Sequence, residues 1–203
     1  MIDTKTYILP DKNFYKLETK KKRVIIGNSF STNMVHHIGW LNRHNGKYKK
    51  TASYTISLDG TIHQHFDPKY YSEIIGDIDF DESTISILLE NEGWLIKDLN
   101  EENKYITYIG NIYNRVDEVF VKKWRCNKYW APYTQEQMKS TVYLINKLCD
   151  EFEINKDVIA HNTKIYNGYL HEGILYKGNL NTYFTDVNPS WDFLGFKEQI
   201  EIN

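Results

Sequence analysis

The stretch "TASYTISLDGTIHQHF", residues 51–66, decides how this chain folds. Two β-rich runs alternate apolar and polar residues on either side of Asp59-Gly60. That dipeptide is a strong hairpin signal and predicts a two-residue type I′ turn. A lone hairpin is marginal in water, so other strands must lie beside it. Upstream, "RVIIGNSF" (23–30) reads as a buried strand ending in a Gly-Asn-Ser turn. Downstream, "STISILLENEGW" (83–94) reads as a central strand.

Helical periods separate these strands. In "STNMVHHIGWLNRHNG" (31–46), Met34, Ile38 and Leu41 are spaced for one buried helical face, and Gly46 is a C-terminal stop. In "YTQEQMKSTVYLINKLCDEF" (133–152), Thr134 and Gln137 form a capping box. Met138, Val142, Ile145, Cys149 and Phe152 make its apolar stripe. "DVIAH" (157–161) returns toward the sheet, and "SWDFLGFKEQIEI" (190–202) predicts a terminal helix. This order implies an α/β protein with a mixed central β-sheet flanked by helices. Residues 95–132, aromatic and charged, are an insertion or excursion with some helix.

The 203 residues fit a single domain, 1–203, able to bury about 70% of the surface exposed by the unfolded chain. The net charge of −2 gives no global field for nucleic acid. The basic block "KKKR" (20–23) reads as the solvated start of a strand. No run is long enough to span a membrane, and the N-terminus lacks the apolar region of a signal peptide. The expectation is a soluble chain made in the cytoplasm. An extracytoplasmic target would be reached by lysis or within a larger particle. Cys126 and Cys149 imply no disulfide framework, and Cys149 is expected to be a buried thiol.

Seven histidines offer candidate chemistry. His63 and His65 share a strand face, which could bind metal but is more often a solvated outer face. His36 and His37 diverge by about 100° on a helix, so at most one is expected to face a site. His44 suits a helix end, and His171 lies in a loop. His161 stands where an apolar run gives way to a loop, and Asp186 lies in a later loop, "YFTDVNPSWDF". A strand-end His and a loop Asp can meet at one sheet edge, but zinc requires three or four donors. Glu90 and Glu92 share a strand face, and Glu90 is the candidate general base. Glycine-rich phosphate loops, CxxC, HExxH and GxSxG are absent.

As an ordered set, the hairpin "TASYTISLDGTIHQ" (51–64), the strand "STISILLEN" (83–91), the Gln-bearing helix (133–154), "VIAH" (158–161) and "TDVNPSWDF" (185–193) resemble the zinc-dependent N-acetylmuramoyl-L-alanine amidases of the type-2 family. Phage lysins and peptidoglycan recognition proteins share that fold. The resemblance covers residues 23–94 and 133–200. It implies a zinc cleft at one sheet edge, peptidoglycan or a muropeptide as partner, and hydrolysis of the amide between N-acetylmuramic acid and L-alanine. His161 and Asp186 match the second and third zinc ligands. The first ligand position holds Gly27, followed by Asn28. Ala52, Ser53, Leu88 and Phe184 replace a Tyr, a His, a carboxylate and a Lys of the family pattern. The resemblance thus implies zinc at a site the sequence leaves incomplete. The added "YNGYLHEGILYKGN" (166–179) is expected to form a lid or to bring in His171 as a replacement ligand. Two readings follow: an amidase with a rearranged site, or a degenerate amidase fold that binds cell wall or a protein partner, or builds a phage or secretion particle.

Overall fold

The computed structural model describes residues 1–201. Ile202, placed by the sequence in the terminal helix, and Asn203 lie outside the described residues. The main sheet has six strands: β1 (Ile2–Asp3), β2 (Arg23–Asn28), β3 (Tyr54–Ile56), β4 (Ile62–Gln64), β5 (Thr84–Leu89) and one late strand (Gly173–Tyr176). A second sheet supplies β6 (Trp94–Lys97), β7 (Tyr105–Thr107), β8 (Phe120–Trp124) and β9 (Asn127–Trp130), so the late strand is β10. The main order is β1-β4-β3-β5-β2-β10, with only the β3–β4 hairpin antiparallel. The predicted mixed α/β sheet is therefore the observed one.

Alternation along the central strands sorts the core. Val24 and Ile26 of β2, with Ile85, Ile87 and Leu89 of β5, pack against α3 (Gln135–Phe152) and α4 (Phe193–Glu201). On the opposite face, Ile25 packs with Phe80 of α2 (Ile78–Glu82), and Leu88 packs with Trp40 of α1 (Val35–Asn42). Both faces of β2 and β5 are covered, which is why these strands read as continuous apolar runs.

The capping box of α3 forms as the sequence implied: Gln137 N–H donates to Thr134 Oγ1 and Thr134 N–H to Gln137 Oε1, each at 3.1 Å. Gln137 Nε2 also donates to the carbonyls of Ile56 (3.2 Å) and Glu90 (2.8 Å), tying the helix start to two strand ends. Gln137→Ala keeps the Thr134 cap but removes its reciprocal bond and leaves the Ile56 and Glu90 carbonyls without this donor. The expected loss is about 2–3 kcal/mol by denaturant titration.

Four local expectations need correction. The hairpin is present, but its turn is not type I′, which needs positive φ at both central residues. Only Gly60 has positive φ (+83°); Gly60 N–H donates to Ser57 O, and the loop closes with Ser57 N–H to Thr61 O. The turn is thus a three-residue loop with glycine as its left-handed residue. In α1, Ile38 is 56% exposed, while His37 and Trp40 are buried. The helix starts one residue late because Met34 sits at φ +55°, which rotates the buried face. His63 and His65 are not solvated (8% and 0% exposed), because N-terminal residues cover that edge through β1, Tyr7 and Leu9. Finally, residues 95–132 hold strands joined by loops rather than α-helix. They build the antiparallel order β7-β6-β9-β8, whose only helical piece is a 3-10 turn at Val116–Glu118.

Candidate functional site

The C-terminal ends of the parallel strands open onto a cleft of about 460 Å³. Leu88 lies at its base and α1 gives one wall through His36, Trp40 and Arg43. Phe30, Tyr108 and Ile109 form another, and Lys50, Lys177 and Phe184 complete it. Tyr108 comes from the turn after β7 and packs edge-on against Phe30 (6.2 Å) and Trp94 (5.4 Å). The second sheet thus helps to shape the cleft. Its β8–β9 turn also reaches the main sheet, with Trp124 Nε1 donating to Thr163 O (3.0 Å) and Arg125 Nη2 to Gly178 O (2.5 Å). Among the described lining residues three are cationic, Arg43, Lys50 and Lys177, and none is a carboxylate.

The corner beside Asp186 is where a zinc ion would have to fit. Gly27, one residue before the end of β2, has no donor side chain. A Cβ built on it would stand 2.5 Å from Lys177 Cδ and 2.6 Å from Asp186 Oδ2, so the lysine stem fills the space a ligand side chain needs. Lys177 Nζ lies 3.9 Å from Asp186 Oδ2 and 4.9 Å from the centre of the Phe184 ring. Asp186 Oδ2 also accepts the Asn28 N–H at 2.9 Å. Burial pushes the Asp186 carboxyl up from its ordinary range, and the Lys177 ammonium and the Asn28 N–H pull it back. The Asn28 side chain turns the other way and accepts from Tyr133 Oη at 2.5 Å.

Among the described residues no hydrogen bond or ion pair joins His161 to Asp186. His161 Nδ1 accepts from Thr163 N–H (3.2 Å) and Thr163 Oγ1 (2.8 Å), and its ring lies 5.0 Å from that of Phe193. This pairing engages the Nδ1 lone pair locally and leaves the ring proton on Nε2. The adjacent Asn162 takes the buried place instead and donates to the carbonyls of Val187 and Asn188, each at 3.0 Å. His171 stands before β10, at the opposite strand ends, with Nε2 donating to Asp157 O at 3.1 Å. The length of β10, about 13 Å at a strand's rise per residue, separates it from the Lys177 corner. The added segment is neither a lid nor a ligand loop: it contributes β10, parallel to β2. No group of three or more His, Cys, Asp or Glu among the described residues is placed to hold a metal ion. The corner as built does not fit zinc, since Gly27 offers no donor and the Lys177 side chain fills the space beside Asp186.

Glu90 is likewise committed elsewhere. It is 3% exposed, and Oε1 accepts Met34 N–H at 2.5 Å, so the carboxylate caps the start of α1. Burial pushes its pKa up, opposed by that N–H.

A second polar array joins the cleft wall to the interior. His65 Nδ1 pairs with the Tyr7 carbonyl at 2.7 Å and must donate, so its Nε2 accepts from Thr55 Oγ1 at 2.8 Å. Thr55 Oγ1 then accepts from His36 Nε2 at 3.0 Å, and His36 Nδ1 faces Ser31 Oγ at 3.4 Å. His37 stacks on His65 at 5.4 Å, so of the His36–His37 pair it is His36 that lines the cleft. The short helix is wedged between the hairpin and the N-terminal segment, and each ring meets protein. Burial, reinforced by the neighbouring imidazoles, pushes His36 and His65 down to about 3. Such weak bases are poorly matched to general base catalysis near neutrality, and the array acts as a neutral brace between α1, β3 and the N-terminal segment.

Sequence reading missed Lys177, Asn162 and the aromatic wall at Tyr108. A lysine directly after the apolar run "GILY" was the available signal for the first. The family pattern expects a lysine at position 184, and here a lysine from β10's end lies over the phenylalanine that replaces it.

The sequence model of the N-acetylmuramoyl-L-alanine amidase family matches residues 21–171. No curated protein matches the chain. Among solved structures, the amidase LysC from Clostridium intestinale URNW superposes with a TM-score of 0.54 at 13% identity, over 100% of this chain and 97% of that one. The endolysin amidase LysCS from the same organism gives 0.56 at 11% identity, over 100% of both chains. The amidase AmiD from E. coli, in complex with anhydro-N-acetylmuramic acid-L-Ala-D-gamma-Glu-L-Lys, gives 0.52 at 12% identity, over 91% of this chain and 59% of that one. The sheet order, the cleft and these matches define a peptidoglycan-amidase-like protein. The chain belongs to the N-acetylmuramoyl-L-alanine amidase family. No helix among its described residues is long and apolar enough to cross a membrane.

Proposed function

We propose that this chain is a metal-free member of the family that binds a peptidoglycan-derived muropeptide in the cleft without cleaving its lactyl amide. One observation carries the reading: Lys177 fills the space left by Gly27 and brings its ammonium toward Asp186. A fixed cation there takes up space and charge that a zinc ion would need.

The rest of the cleft supports a ligand of this class. A muropeptide carries stem carboxylates and amide groups on a sugar with apolar faces. Arg43 and Lys50 suit the carboxylates, and Trp40, Phe30 and Tyr108 offer surfaces for sugar and peptide. No lining carboxylate among the described residues opposes an anionic stem. AmiD, of the same fold, is complexed with a ligand of this kind.

The test uses a soluble muropeptide with a free stem carboxylate. Calorimetry should give saturable binding, weakened about tenfold or more by Arg43→Ala or Lys50→Ala, as for loss of a charge-assisted contact. Chromatography of the same mixtures, with and without added zinc, should show no released stem peptide. Release that depends on His161 would restore the hydrolase reading. Absence of binding would leave a structural or protein-binding role for the fold.

A further inference from the structure

We infer that a second pocket, at the N-terminal ends of the parallel strands, binds a small amino-acid zwitterion, its carboxylate on Arg23. This pocket measures about 520 Å³ and lies at the sheet edge opposite the cleft. Arg23 opens β2 and is only 6% exposed. Its guanidinium is 4.6 Å above the Phe80 ring, and its buried Nε has no hydrogen-bond partner. Among the described residues its side chain forms neither a hydrogen bond nor an ion pair. Burial of an unpaired donor is penalised, Glu172 and Asp77 act on this charge only from a distance, and the five donors of a guanidinium are shaped to grip an oxyanion. Its face is held by Phe80, which Tyr169 flanks edge-on at 5.3 Å, so its free edge is the part available to a ligand.

The rim decides which anion suits the site. Asp77, Asp79 and Glu82 line the same pocket, none within ion-pair distance of Arg23, together with Lys20 and with Lys22, which pairs with Glu172 at 2.8 Å. Asp77 is held back by the Phe80 N–H, which it accepts at 3.1 Å to cap α2. A simple anion would meet these carboxylates as well as the arginine. A molecule with a carboxylate for Arg23 and an ammonium for the rim acids satisfies both, and amino acids are the smallest members of that class.

The probe is alanine, titrated into the full chain by NMR, with acetate and inorganic phosphate as comparators. Saturable alanine binding is expected, with shifts confined to residues around Arg23 and Phe80. Acetate should bind at least several-fold more weakly because it lacks the ammonium. Arg23→Met should abolish binding while the protein stays folded, since it replaces an unpaired charge by an apolar chain of similar length. Asp79→Asn should weaken alanine binding and strengthen that of acetate, which no longer meets this carboxylate. The proposal is overturned if alanine does not saturate, if it binds Arg23→Met equally well, or if acetate or phosphate binds as tightly as alanine. Because the muropeptide cleft lies on the opposite edge, loss of either site leaves the other testable.

Discussion

Replacing His65 by glutamine will cost progressively less stability as the pH falls from 6.5 to 3. The imidazole is fully buried and held neutral, donating to Tyr7 and accepting from Thr55. Its folded-state value is about 3, against 6.5 for the free side chain. Below 6.5 the unfolded chain takes up a proton that the folded chain refuses, so acid favours unfolding throughout that window. At about 1.4 kcal/mol per unit, the wild-type histidine forfeits on the order of 5 kcal/mol by pH 3. Glutamine does not titrate, so the stability difference between the two proteins should narrow by that order across the window. Asp81 and Glu90, both raised by burial, act in the opposite sense but cancel in the comparison. Denaturant titrations of both proteins at stepped pH provide the check. A difference independent of pH would show that the imidazole titrates normally in the fold.

Lys177→Ala is expected to cost about 3 kcal/mol at neutral pH, the scale for removing one member of a buried ion pair. The substitution strips Asp186 of its closest cation and empties the space over Gly27. The two effects separate by pH. Asp186, 1% exposed and already raised by burial, will rise further without the ammonium. An acid raised in the folded state loses stability as pH climbs from its unfolded value, near 3.8, through its folded one. The penalty should therefore be small in acid and grow toward neutrality. Asp186→Asn in the same background should recover most of it, because Asn can still accept the Asn28 N–H. A loss that is flat with pH and unrelieved by Asp186→Asn would reduce Lys177 to a packing role.

The parts of the fold visible in the sequence were those written in local periodicity. β2 and β5 are covered on both faces and read as unbroken apolar runs, and α3 carries its cap and stripe in contiguous residues. The second sheet was not visible, because β8 exposes most of its residues and lacks the alternation that marks a half-buried strand. The histidines were misread for a related reason. Burial of His63 and His65 comes from residues about sixty positions earlier, which no local pattern records.

At the site, the resemblance paired Gly27 with Asp186, and the two positions adjoin. It did not foresee the occupant. Lys177 belongs to the segment that the sequence presented as an insertion, and its position follows only from the pairing of β10 with β2. A one-residue difference in register likewise separates the expected ligand, His161, from the side chain that is buried there, Asn162. Family patterns record which residue types recur, whereas side-chain direction depends on the backbone path between Val158, bridged to Ile174, and the turn that follows.

The central claim is that a lysine ammonium has taken the place of the metal in an amidase cleft. Its most direct test is the metal content of the native protein after equilibration with excess zinc and removal of free ion. The account predicts no stoichiometric zinc. One zinc ion per chain, lost on His161→Ala, would contradict it.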